Sequence, residues 1–168
     1  MRYAGIIKND FSACPGVAVT LFTQGCPRRC KGCHNPDTWD KFGGMHYTID
    51  TEKEIIEALQ DNGIKRDLCI MGGEPIISEN FSALVWLCLS VRANVPDTKI
   101  YLWSGYTYEE IIEIKELNWK WLLEKVNYLI DGPYIEELRD ITLPMRGSSN
   151  QRILELEKGE IVNEHWSL

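Results

Sequence analysis

The sequence predicts an α/β domain with a mostly parallel sheet, and three observations carry that expectation. Short, near-continuous apolar runs alternate with helical patterns, as in strands buried on both faces beneath covering helices. Each run ends at a glycine-bearing turn. No repeat, low-complexity tract or linker interrupts the alternation, so residues 1–168 are expected to form one domain. A closed eight-fold barrel takes at least about 200 residues. With 168 residues, any barrel here is expected to be partial and open on one side.

The elements follow in order. Met1–Asp10 carries no apolar signal-peptide core, which points to a cytoplasmic protein. Val17–Thr23 is the first β-rich run and ends at Gly25. Ile55, Ile56 and Leu59 share one face of a helix over 52–62, and Thr51 with Glu54 has capping-box spacing at its start. Asp67–Met71 is the second run, ending at Gly72-Gly73. Phe81, Leu84, Val85, Cys88 and Val91 have helical spacing. Lys99–Trp103 is the third run, ending at Ser104-Gly105. Thr107 and Glu110 predict a capped helix bearing Ile111 and Ile112. Asn127–Ile130 is the fourth run, ending at Asp131-Gly132-Pro133. Sites in parallel α/β folds form in the loops after the carboxyl ends of strands. Four separated segments are therefore expected to converge on one edge.

Composition narrows the function. The hydrophobic fraction is 44% and the charged fraction 26%, which is globular rather than disordered. A net charge of −7 argues against nucleic acid and against an anionic membrane surface as partners. No apolar run approaches the roughly 18 residues of a spanning helix. Six cysteines in a cytoplasmic protein point to metal rather than to disulfides.

Three of the six lie together in Gly25-Cys26-Pro27-Arg28-Arg29-Cys30-Lys31-Gly32-Cys33-His34-Asn35. So short a loop brings several thiolates to one centre at little closure entropy. A cubane iron–sulfur cluster takes four thiolates, so three leave one iron open to a ligand. Arg28, Arg29 and Lys31 would offset thiolate charge. Two other readings stand: structural zinc on the three cysteines and His34, or three free thiols. Adjacent Cys33 and His34 are awkward for tetrahedral closure, and Pro, Arg, Lys and Gly are poor core neighbours. Cys69 and Cys88 read as core, and Cys14, before Pro15-Gly16, is ambiguous. Asp131 reads as part of a turn, with a cation or a polar ligand group as the alternative.

The Cys-x3-Cys-x2-Cys spacing resembles the signature of the radical S-adenosylmethionine (SAM) enzymes, whose fold is a partial, open (β/α) barrel. Met71-Gly72-Gly73-Glu74-Pro75 is similar to that family's second signature and follows a predicted strand. The resemblance implies a 4Fe-4S cluster ligated by Cys26, Cys30 and Cys33. It also implies SAM bound at the open iron and cleaved to methionine and a 5′-deoxyadenosyl radical. Residues implied to contact SAM are Gly32, Cys33, His34, Gly72, Gly73, Glu74 and Ser104. Glycine at 72 and 73 would let a ligand approach the backbone closely.

Cys33-His34-Asn35-Pro36-Asp37-Thr38-Trp39 is similar to the glycyl-radical activating enzymes within that superfamily. Leu102–Tyr106, Leu129–Tyr134 and Arg146–Arg152 resemble the activases of anaerobic ribonucleoside-triphosphate reductase in particular. Those activases imply the reductase as a protein partner and a flavodoxin-like electron donor. Two alternatives remain at this point. One is a small-molecule radical SAM enzyme of the 7-carboxy-7-deazaguanine synthase kind. The other is a zinc-stabilised interaction module.

Overall fold

The computed structural model describes residues 1–166. Eight strands form one sheet: β1 (Arg2–Asp10), β2 (Val17–Thr23), β3 (Met45–His46), β4 (Arg66–Gly72), β5 (Ile100–Trp103), β6 (Tyr128–Asp131), β7 (Arg152–Glu157) and β8 (Glu160–His165). Their order across the sheet is β3-β1-β2-β4-β5-β6-β7-β8, so the sheet is open, with β3 and β8 at its edges. Four helices accompany it: α1 (Ile49–Gln60), α2 (Ser78–Asn94), α3 (Tyr108–Glu113) and α4 (Trp119–Leu123).

The four expected strands are present and form the parallel centre β2-β4-β5-β6. The expectation of a mostly parallel sheet is corrected, because four of the seven pairings are antiparallel. The antiparallel additions are β1 and β3 on one flank and the β7–β8 hairpin on the other. Their residues do not form continuous apolar runs: β1 is half exposed and β8 almost wholly so. The hairpin turns at Lys158-Gly159, both with positive φ (52° and 79°), the two-residue geometry that matches strand twist.

Side chains alternate across the central strands, and the two faces are covered differently. Val19, Leu21, Leu68, Ile70, Ile100, Leu102 and Leu129 pack against all four helices. Burying such a side chain fully is worth about 1.5–3 kcal/mol relative to exposure. Ala18, Cys69, Tyr101, Tyr128 and Ile130 face the other way, beneath Ala13, Cys14 and Met145 from loops. Tyr101 and Tyr128 stack there with ring centroids 4.8 Å apart. Cys69 and Cys88 are fully buried as expected, and Cys14 joins Cys69 in the loop-covered core.

Two helix starts bear on the reading. The box at Thr107 and Glu110 is present. For α1 the cap is Thr48, paired with Thr51, rather than Thr51 with Glu54. The helix therefore begins one turn earlier, because Thr48 has the extended backbone that a cap requires (φ −127°, ψ 175°) and Thr51 is already helical.

Candidate functional site

The loops after β2, β4, β5 and β6 meet at one end of the sheet around a cavity of about 520 Å³. Cys26, Cys30 and Cys33 are in its wall, with His34, Gly72, Gly73, Glu74, Ser104, Gly105 and Gly132. Of the residues expected to touch a cofactor, only Gly32 lies outside this lining. Its φ is +71°, and a Cβ there would strike Glu136 Oε1 at 2.7 Å, so glycine at 32 serves the turn of the loop.

The cysteine loop is anchored at both ends. Gly25 N–H donates to Thr38 O (2.8 Å), and Cys26 N–H donates to Trp39 O (3.2 Å). Cys33 N–H donates to Cys30 O (3.2 Å), which closes the second half of the loop on itself. All six cysteines are free thiols, and the three in the loop are half-buried. Burial pushes the Cys26 thiol up, with Glu74 and Cys30 adding to the effect. Lys31 is not free to offset thiolate charge, because it pairs with Glu136 at 2.8 Å.

The Gly72-Gly73-Glu74 segment is packed against the base of this loop. Gly73 N–H donates to Thr23 O, and Glu74 N–H donates to Gly25 O, both at 2.9 Å. A Cβ on Gly72 would stand 2.9 Å from Phe22 Cα and Thr23 N. The close approach these glycines permit is thus first to the protein's own backbone.

Glu74 is buried and wholly engaged. Its Oε1 accepts from Ile76 N–H (3.0 Å) and Ser104 Oγ–H (2.8 Å), and its Oε2 accepts from Gly105 N–H (2.8 Å). Burial pushes its carboxyl up, against these hydrogen bonds and the nearby Arg28 charge. The Ser104 hydroxyl also accepts from Tyr106 N–H at 3.0 Å. Glu74 and Ser104 therefore hold the 104–106 turn against the cysteine loop.

The loop after β6 is stitched to the 144–151 segment. Asn150 Nδ2 donates to Pro133 O (2.8 Å), and Gln151 Nε2 donates to Gly132 O (3.0 Å). Trp103 Nε1 donates to Met145 O (2.8 Å). Asp131 is buried and does not line the cavity. It accepts from Arg152 Nε–H (2.9 Å) and from Tyr108 N–H (2.7 Å), which makes it an anchor for α3 and β7. His34 packs on Tyr134, with centroids 5.6 Å apart.

Asp10, Met71, Trp103, Tyr134, Met145 and Arg146 also line the cavity, and sequence reasoning did not single them out individually. The 146–152 segment was marked only by resemblance. Nothing local marks Asp10, which reaches the cavity because β1 pairs with β2.

Three free cysteines in the wall of one cavity could each supply a thiolate to one iron of a polynuclear cluster. Among the described residues no three His, Cys, Asp or Glu side chains are grouped so as to hold a single metal ion. Zinc needs its ligands to converge on one point at about 2.0–2.3 Å. In a cubane each thiolate binds its own iron, so the sulfurs are spread around a larger body.

The comparisons with known proteins agree. The family described as 4Fe-4S single cluster domain matches residues 13–154, which places the chain in the class of single-cluster iron–sulfur proteins. An anaerobic ribonucleoside-triphosphate reductase-activating protein from Vibrio cholerae is 41% identical over 91% of this chain and 97% of its own length. The proteins of that name from Escherichia coli K12 (34% identity, 90% and 96% covered) and from Enterobacteria phage T4 (36%, 91% and 93%) are also similar. The chain belongs to the family of anaerobic ribonucleoside-triphosphate reductase-activating proteins.

Proposed function

We propose that this chain is a radical SAM activase that generates a glycyl radical on an anaerobic ribonucleoside-triphosphate reductase. The observation that carries the reading is the meeting of three free cysteines with the Gly72-Gly73-Glu74, Ser104-Gly105 and Gly132 loops around one cavity. The names of the relatives supply the partner. Under this reading the fold is an open variant of the radical SAM barrel.

Cys26, Cys30 and Cys33 would ligate a 4Fe-4S cluster. When bound, the cluster supplies one electron and SAM the hydrogen-abstracting fragment. The chain's own residues position and shield. Gly25 and Gly73 fix the cysteine loop by backbone contact, and Glu74 fixes the neighbouring turn. Met71, Trp103 and Met145 give the cavity an apolar wall, which excludes water from a reactive centre. No general acid or base is assigned. An extended loop carrying the target glycine would enter from the open side, at an ordering cost. The reductant is a flavodoxin-like donor in this reading.

Anaerobic purification tests the cluster first: brown protein with iron and sulfide is expected, and colourless protein containing zinc would sink the proposal. Mixing with SAM, a reductant and the anaerobic reductase should then give a carbon-centred glycyl doublet on the reductase by electron paramagnetic resonance. If the doublet never forms while a small heterocycle stimulates SAM turnover, the small-molecule reading replaces this one.

A further inference from the structure

Among the described residues, four large apolar side chains are at least 70% exposed: Phe11 (75%), Phe42 (77%), Ile141 (78%) and Trp166 (70%). Exposed apolar side chains scattered singly are ordinary, so their placement is what carries meaning. Three of the four border the cavity. Phe11 lies between Asp10 and Ser12, which line it. Ile141 follows Asp140, whose N–H donates to the carbonyl of the lining Gly147 (3.2 Å). The Trp166 ring centroid stands 4.8 Å from Cζ of the lining Arg146. Phe42 belongs instead to the loop that packs Lys41 on Gly25.

The turns that present Phe11 and Ile141 are built alike. Asp10 Oδ1 accepts from Ser12 N–H (2.9 Å) and Ser12 Oγ–H (2.7 Å), with Phe11 between them. Asp140 Oδ1 accepts from Thr142 N–H (2.9 Å) and Thr142 Oγ–H (2.6 Å), with Ile141 between them. In each, a carboxylate clamps the turn and leaves the central apolar side chain in solvent. Trp166 is fixed through its carbonyl, which accepts from Arg146 (2.5 Å). Ala13 and Cys14, beside the first turn, share a core cluster with Met145, beside the second. The displayed side chains are therefore held relative to one another, which lowers the ordering cost of binding.

Phe11 follows β1 and Trp166 follows β8, near opposite edges of the open sheet. A polypeptide that reaches the cavity between these flanks passes Phe11 on one side and Ile141 and Trp166 on the other. Exposed aromatic rings beside an arginine match the composition of interface hot spots. A second copy of this chain seated on the same side chains would close the opening against a substrate. An electron donor has to approach the cysteine loop instead.

We propose that Phe11, Ile141 and Trp166 are the two lips of a docking surface for the anaerobic reductase, gripping it on either side of the opening that admits its glycine-bearing loop. The inference rests on reading the chain as an activase of that reductase.

The test measures equilibrium binding of the reductase to anaerobically reconstituted protein of known iron content. Phe11→Ser, Ile141→Ser and Trp166→Ala should each weaken binding about tenfold or more, the range for a truncated hot spot. Their iron content, and SAM cleavage with a chemical reductant in the absence of the reductase, should match wild type. Trp86→Ser on α2 and Ile49→Ser on α1 remove side chains of similar exposure (65% and 64%) far from the cavity lining and should leave binding unchanged. Wild-type affinity in the three lip variants, or equal weakening in the two helix variants, overturns the assignment. Loss of self-association at unchanged reductase affinity also overturns it, and gives the surface to a second copy. Wild-type protein with full iron that neither binds the reductase nor produces the glycyl doublet overturns the activase reading itself.

Discussion

A Cβ on Gly73 would stand 2.5 Å from the carbonyl oxygen of Gly25, the residue before the first loop cysteine. The two glycines belong to different loops, yet neither loop can move without the other. The expected role of Gly73, leaving room for a ligand, is therefore preceded by a packing role. Its substitution should act on the cysteine loop before it acts on any ligand.

For Gly73→Ala the expected outcome is a reduced iron content after reconstitution, together with a loss of stability of about 1–3 kcal/mol from overpacking. Iron analysis and thermal unfolding of the metal-free protein check the two parts. Normal iron content with weakened SAM binding would instead mean that the space above Gly73 belongs to the ligand.

Replacing any one of Cys26, Cys30 and Cys33 with Ala should abolish the oxygen-labile cluster and all SAM cleavage. Cys88→Ala should keep both, at a cost of about 1–2 kcal/mol for an emptied core position. Iron, sulfide and the visible spectrum of each variant decide. A Cys30→Ala protein with an intact cluster would remove that residue from the ligand set.

Glu74 gives a prediction in pH. Burial holds its folded-state pKa above the ordinary value of 4.5. The folded chain therefore binds its proton more tightly than the unfolded chain does. This group's contribution to stability is full below pH 4.5 and declines as pH rises through the higher folded value. Glu74→Gln should remove that decline. It should also weaken the hydrogen bonds to Ile76, Ser104 and Gly105, which lowers stability near neutral pH by roughly 1–3 kcal/mol. Urea unfolding of metal-free wild type and variant across pH 4–8 provides the comparison. Parallel stability curves for the two proteins would contradict it.

Arg152→Gln should leave buried Asp131 with Tyr108 N–H as its remaining partner. Stranding a buried carboxylate costs about 3–5 kcal/mol, and the partial exposure of Arg152 puts this case at the lower end. Glu109 also pairs with Arg152 but is exposed, so Glu109→Gln should cost less than about 1 kcal/mol. Denaturant midpoints of the two variants should separate clearly. Equal midpoints would mean that Asp131 is held by its other contacts.

Much of the site was legible because its signals are local. The three cysteines fall within eight residues, and the Gly72-Gly73-Glu74 turn directly follows a continuous apolar strand. The four central strands are apolar enough on both faces to be read without any partner. The flanks were not legible for the opposite reason. β1 is half exposed and β8 almost wholly so, and both become strands by pairing with neighbours. The Lys158-Gly159 turn is a local signal of the β7–β8 hairpin.

What the sequence by itself determined is the parallel centre of the sheet, the loops that follow it and the cysteine spacing, all encoded within short windows. Only the tertiary structure decided what each polar side chain in those loops is for. Glu74 meets Ser104 across thirty positions of chain, and Asp131 meets Arg152 across twenty-one. Arg146 is committed to backbone carbonyls and Arg28 is not. Composition cannot distinguish these roles, because whether a buried charge is satisfied depends on which distant groups the fold brings within hydrogen-bonding reach.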